Sequence, residues 1–302
     1  MDAINDADFV SRFVGDRLIA KSSAFGKTLL LTQFSQGADD PDSKLVFLSQ
    51  GKPALVIIIS PALFPNVVAE ECRKAAEMRA LLGDLGAPIL EPLDAGRILA
   101  STYAVLPYRK PLSQRRILSR LDELRVNRHL FDWLLQIARK HSVSGEVSGY
   151  ERAFRALDLA VSPDSAAAAL LRKAERHLRS GRFVARSVPM HGDLWKGNVL
   201  RGAGSAPFTL VDWRGSSVDG FPIFDLIRAA SSFHLSPTAL CRQLQLHRAA
   251  LGCQMEDLPL YLLAALGHFA ERRGEMPLTT LHAMIEISVM RLSGALATLS
   301  AH

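Results

Sequence analysis

The chain has 302 residues, 48% hydrophobic and 22% charged, enough for one large domain or two lobes with cores of their own, and this composition excludes a disordered chain. The formal net charge is +6, but the basic residues are interspersed with acids, and no finger spacing, heptad array or internal repeat adds a case for nucleic acid. Cys72, Cys241 and Cys253 are scattered without CxxC spacing, which excludes a disulfide scaffold or an all-cysteine zinc site and fits a reducing, cytoplasmic setting.

From the N-terminus, "MDAINDADFVSRFVGDRLIA" lacks the basic region and unbroken apolar core of a signal peptide. The longest apolar run, Pro53 to Ala69, is interrupted by Pro61 and Pro65, so no membrane span is expected and the chain reads as a soluble protein. The runs "KTLLLTQF", "KLVFLSQG", "PALVIII" and "STYAVLPY" predict a small sheet. Between the last two, a helix is predicted from Asn66, the N-cap, to Leu82, stopped by Gly83 and carrying Glu77. After Tyr108 the pattern turns helical: Leu112 to Leu121, Asn127 to Lys140, Pro163 to Ser180, Phe221 to Ser232, Pro237 to Leu251 and two more near the end. Ser162 reads as the N-cap of the Pro163 helix, with Gly181 ending it. The expected organisation is a sheet lobe over residues 1–107 and a mainly helical lobe over 108–302, with a ligand cleft between them.

Within the second lobe, "VPMHGDLWKGNVLRGAGSAPFTLVDW", Val188 to Trp213, alternates short strands (Val188 to Met190, Val199 to Leu200, Phe208 to Val211) with glycine-rich turns. Asp193 and Asn198 stand five apart, and Asp212 follows Asp193 by nineteen positions, so a tight turn brings the three together. Carboxylate and amide oxygens suit Mg²⁺ and, through it, phosphate, while a remaining aspartate orients a hydroxyl. A zinc site on His191 and Asp193 lacks further ligands nearby, and a serine hydrolase lacks the GxSxG elbow. On spacing alone, polar residues acting only as turn formers and caps remain an open alternative.

"HGDLWKGNVL" followed by "TLVDW" resembles the HGDxxxxN and downstream Asp motifs of the aminoglycoside phosphotransferase-like family. The resemblance implies an α+β, protein-kinase-like bilobal fold, with a small N-terminal antiparallel sheet lobe holding one helix and a larger, mainly helical C-terminal lobe. It implies ATP- and Mg²⁺-dependent transfer of the γ-phosphoryl group to a hydroxyl of a small-molecule acceptor; that no nucleic-acid or membrane partner is expected rests on the charge pattern and the proline-broken apolar run. On it, Asp193 matches the catalytic aspartate, Asn198 and Asp212 the magnesium ligands, Asp225 of "DGFPIFDLIRAAS" a brace for the catalytic loop, and His191 a loop-stabilising histidine. Leu106 to Tyr108 of "STYAVLPYRKPLS" match the backbone that meets adenine, and Glu77 the helix glutamate that pairs with a phosphate-binding lysine.

That lysine is where the chain departs from the pattern. The strand expected to carry it reads "PALVIIIS", and neither "SSAFGK" nor "SQGADDPDS" is a repeated-glycine phosphate loop. Three accounts stand: Lys27 or Lys44 replaces it from a neighbouring strand, as in the with-no-lysine kinases; Lys196 or Arg214 does so beside the catalytic motifs; or the chain is a degenerate kinase-like regulator or scaffold that binds nucleotide without efficient transfer. Retention of Asp193, Asn198 and Asp212 favours an active enzyme, and Lys196, lying between Asp193 and Asn198, is a catalytic candidate for the transferring phosphoryl group or the acceptor. A cationic aminoglycoside prefers an acidic pocket, so the family name does not fix the acceptor; a sugar, an amino alcohol or an anion is equally compatible.

Overall fold

β-Branched and aromatic runs near the N-terminus pair as strands, as their composition predicts. The computed structural model describes residues 29–34, 43–49, 52–60, 63–98, 100–112, 116–203, 206–272 and 277–300. Strands β1 (Leu29–Phe34), β2 (Ser43–Ser49), β3 (Lys52–Ile59), β4 (Asp94–Ile98) and β5 (Ser101–Pro107) form one antiparallel sheet in the order β1-β2-β3-β5-β4. Leu55, Ile57 and Ile59 alternate into the core, while Val56 and Ile58 face the other side half-buried. Strand β4 was not expected from its sequence, "DAGRI"; it is held by the register Gly96↔Tyr103 and by Tyr103 Oη donating to Asp94 Oδ2 at 3.0 Å.

Helix α1 (Val67–Leu82) starts and stops where the sequence predicts, with Gly83 in the left-handed region at φ 55. Its cap differs from the expectation. Asn66 Oδ1 is taken by Arg97 at 2.6 Å, and the first-turn N–H groups of Val68 and Ala69 are satisfied by Ser60 Oγ (3.0 Å) and Thr102 Oγ1 (3.2 Å) from the sheet. The two hydroxyls are joined at 2.8 Å. Tertiary donors and acceptors therefore outcompete the local cap.

The chain divides into two compact units: the described residues of Met1–Glu77 with Ile89–Lys110, and those of Met78–Pro88 with Pro111–His302. In the second, α2 (Arg116–Lys140) is one helix where two were expected, because no Gly or Pro interrupts residues 121–127. Helix α3 (Val147–Asp158) escaped the sequence reading, although Tyr150, Ala153, Phe154 and Leu157 mark a buried helical stripe. Helix α4 (Ala166–Arg179) begins three residues later than expected: Ser165, not Ser162, caps it by accepting from Ala168 N at 3.1 Å, with Gly181 past its end at φ 71. Then come α5 (Phe224–Ser232), α6 (Pro237–Leu251), α7 (Leu258–Glu271) and α8 (Leu278–Ser300). Helix α7 is apolar on nearly all sides and buried, crossing α3 so closely that a Cβ on Gly267 would lie 2.0 Å from Ala153 O. Tyr261 of α7 donates to Val184 O at 2.6 Å and Tyr150 of α3 to Arg186 O, fixing the strand that feeds the candidate site. That strand, β7 (Arg186–Met190), pairs with β6 (Val143–Ser144) and β10 (Ser217–Gly220); β8 (Val199–Arg201) and β9 (Phe208–Leu210) make a separate hairpin. No helix among the described residues is long and apolar enough to cross a membrane.

Candidate active site

The loop leaving β7 turns at Gly192, whose φ of 85 suits glycine; a Cβ there would fall 2.2 Å from Gly215 O. Its backbone is held from α5. Asp225 Oδ2 accepts from His191 N at 2.6 Å, and Oδ1 accepts from Gly192 N at 3.0 Å. Burial pushes the Asp225 carboxyl above the ordinary carboxylate range, against the lowering effect of those two N–H groups. Ile223, the residue before α5, sits at φ 60, a strained conformation for a β-branched side chain, at the bend from which α5 presents Asp225 to the loop. His191 is buried against Trp213, ring centroids 4.4 Å apart; its Nε2 lies 3.1 Å from Val211 O, and its Nδ1 accepts from Asp193 N at 3.3 Å, the pattern of an imidazole protonated on Nε2.

Asp193 and Asn198 meet directly. Asn198 Nδ2 donates to Asp193 O at 2.9 Å and to Asp193 Oδ2 at 3.1 Å across a short 3₁₀ turn, Lys196–Asn198. Hairpin β8–β9 then carries the chain back, and Val211 N donates to Asn198 O at 3.1 Å, which sets Asp212 beside the Asn198 backbone. Asp212 adopts φ 65. With its Nδ2 spent on Asp193, Asn198 has its amide oxygen left for another ligand, and the Asp212 carboxylate has no hydrogen bond or ion pair among the described residues. These are hard oxygen donors of the kind Mg²⁺ takes alongside waters and phosphate. Among the described residues no group of three or more His, Cys, Asp or Glu side chains could hold an ion, so the residues fit an ion shared with a phosphate better than an all-protein cage. Cys72 and Cys253 offer no nucleophile: burial pushes each thiol up to about 11, the reverse of a reactive cysteine.

Residues 31–259 match the sequence profile of the phosphotransferase enzyme family. The chain belongs to that family. No curated protein gives a significant sequence match. Among solved structures, an aminoglycoside 2′-phosphotransferase-IIIa variant in complex with GDP is 13% identical, with 95% of this chain and 98% of that one covered and a TM-score of 0.54. A thermostable aminoglycoside phosphotransferase APH(4)-Ia variant with ADP and hygromycin B is 16% identical over 92% and 98%, with a TM-score of 0.53. LicA in complex with AMP is 15% identical over 94% and 98%, with a TM-score of 0.51. The chain thus has the α+β, protein-kinase-like fold of this phosphotransferase family.

Asp193, Asn198, His191 and Asp225 come together as one hydrogen-bonded group, with Asp212 at the adjoining turn. Lys196 N donates to Ser232 Oγ at 2.7 Å, which ties the loop to the end of α5, and Arg214 follows in the turn after Asp212. In the other unit, Glu77 is exposed and ion-paired with Arg73 at 3.1 Å along the helix. Leu106 lies in β5 opposite Val56, and Tyr108 N donates to Ala54 O at 2.9 Å. Lys44 is half-buried on β2 opposite Ile58; Lys27, "SSAFGK" and most of "SQGADDPDS" lie outside the described residues. Sequence reasoning missed Arg228 and Ser232. Arg228 Nη2 contacts Asp193 Oδ1 at 2.6 Å. The available signal was helical spacing, since Arg228 lies three residues and Ser232 seven past Asp225, on one face of α5.

Proposed function

We propose that this chain transfers the γ-phosphoryl group of ATP, with Mg²⁺, to a hydroxyl of a small molecule. The observation that carries the proposal is the joining of Asp193 and Asn198 at 3.1 Å beside the turn that holds Asp212. Asp193 accepts the hydroxyl's hydrogen bond and aims its oxygen at the γ-phosphorus; the new O–P bond forms as the β–γ bridging P–O bond breaks, ADP leaves, and the hydroxyl proton passes to Asp193. Asn198 and Asp212 are the ligands assigned to Mg²⁺, which when bound supplies neutralisation of phosphate charge. His191 and Asp225 keep the loop in place. The GDP, ADP and AMP in the related solved structures support a purine nucleotide as donor. Residues 1–107 are assigned to nucleotide binding, with the backbone at Leu106 and Tyr108 for adenine, and residues 108–302 to catalysis and the acceptor.

For the absent lysine we favour Lys44 as the ATP anchor and Lys196 as the group that stabilises transferring charge. Directly opposed strand residues share a face, so Lys44 stands with Val56 and Ile58 and away from the buried Leu55, Ile57 and Ile59. Lys44→Ala then weakens ATP binding, whereas Lys196→Ala slows transfer; parental behaviour of both variants removes this assignment. A second reading, nucleotide binding without efficient transfer, is favoured by the lack of a lysine inside β3, whose Lys52 stands exposed at its first position, and by the engagement of Glu77 with Arg73 on an exposed face.

One experiment separates them: ATP and Mg²⁺ with a panel of neutral, cationic and anionic hydroxyl compounds, the product identified by the mass of an added phosphoryl group. In the same assay Asp193→Asn lowers kcat by about 10²- to 10⁴-fold with little effect on nucleotide binding. Unchanged turnover in that variant refutes the role of Asp193. Nucleotide binding by the parent with no phosphorylated product selects the second reading.

A further inference from the structure

We propose that Arg228 is a positioning residue for the reaction: it fixes the plane of the Asp193 carboxylate so that Oδ2 is the oxygen presented to the acceptor hydroxyl. The inference rests on the reading of Asp193 as the group that meets the acceptor. The Asp193 side chain is 40% exposed, and a carboxylate on a loop at that exposure would rotate among several orientations if left alone. Two contacts prevent this. Arg228 Nη2 holds Oδ1 at 2.6 Å and Asn198 Nδ2 holds Oδ2 at 3.1 Å, one from each side of the carboxyl group. The contact at Oδ1 is short and charge-assisted, so it dominates the orientation.

The arginine is committed to this contact. Among the described residues its only hydrogen bond goes to Asp193, and its Nε is buried without an acceptor. A buried donor left unsatisfied is destabilising, so the side chain is placed at a cost to the fold that an apolar residue in the same space would avoid. Helix α5 also anchors the loop twice more, through Asp225 to the backbone of His191 and Gly192 and through Ser232 to Lys196 N. Those contacts fix the loop's main chain; of the contacts from α5, Arg228 is the one that acts on the reacting side chain.

The test uses Arg228→Ala and Arg228→Met, the latter keeping the stem packed. Each variant is assayed for kcat and for KM toward ATP, for melting temperature, for recovery by added guanidinium ion, and for the Asp193 orientation in a crystal structure. The expected result is a kcat about 10- to 100-fold lower, the scale on which small misplacements of reacting groups act, with an unchanged KM for ATP, a melting temperature near the parent's, partial recovery of Arg228→Ala by guanidinium, and an Asp193 carboxylate turned away from Asn198. A kcat within twofold of the parent overturns the proposal. So does a loss of kcat that tracks a fall in melting temperature and does not respond to guanidinium, because that is the behaviour of a structural ion pair. If the parent itself phosphorylates nothing, the proposed function fails separately, and the crystal structures still decide: an Asp193 carboxylate unmoved in both variants refutes the positioning role, and a displaced one upholds it.

Discussion

Asp225→Asn tests whether the loop geometry is imposed from α5. The native carboxylate uses one oxygen on His191 N at 2.6 Å and the other on Gly192 N at 3.0 Å, in a site where the residue is 7% exposed. Asparagine keeps one acceptor and turns an NH₂ group toward the second N–H. The variant loses a hydrogen bond to a charged group, about 1.5–3 kcal/mol, and leaves facing donors buried, about 1–3 kcal/mol more. Part is returned, because burial disfavours the charged carboxylate and the neutral amide escapes that penalty. The expected net loss is about 2–4 kcal/mol, which at roughly 2–4 °C per kcal/mol for a unit of this size lowers the melting temperature by about 4–16 °C. Catalysis falls further than stability, since release of Gly192 N moves Asp193, the next residue. The assay pairs thermal unfolding with phosphoryl transfer below the transition. An Asp225→Asn protein that melts and turns over like the parent refutes the claim that α5 dictates the loop.

Other consequences follow from buried groups and tight turns. Burial lowers the pKa of His247 from its ordinary 6.5 to about 4, so the unfolded chain binds the extra proton first as pH falls. Stability is therefore full above about pH 6.5 and is lost as pH drops toward and through about 4, by about 3 kcal/mol in total. His247→Gln is expected to flatten that acid limb in denaturant titrations run at a series of pH values, and an unchanged slope there counts against the assignment. At Gly192, alanine brings both a disfavoured positive φ and a Cβ 2.2 Å from Gly215 O, so Gly192→Ala is expected to melt about 5 °C or more below the parent and to lose activity. Parental melting of that variant removes the argument that the loop and the turn after Asp212 must touch.

Much of this arrangement was legible in the sequence because it depends on short-range chemistry. Apolar runs marked β1, β2, β3 and β5, glycine ended α1 and α4, and Pro237 opened α6, each where local steric and hydrogen-bonding preferences point the same way. The motif spacing likewise marks Asp193, Asn198 and Asp212 as neighbours, since a hairpin from Val199 to Leu210 returns the chain to its starting point. Tertiary structure decided what lies far apart in sequence. It moved the caps of α1 onto Ser60 and Thr102, stabilised β4 through Tyr103, and set Arg228 on Asp193 from 35 residues away. A local pattern reports what one segment prefers alone. The partner of a buried or charged side chain is chosen by packing between segments, which no window of the sequence contains.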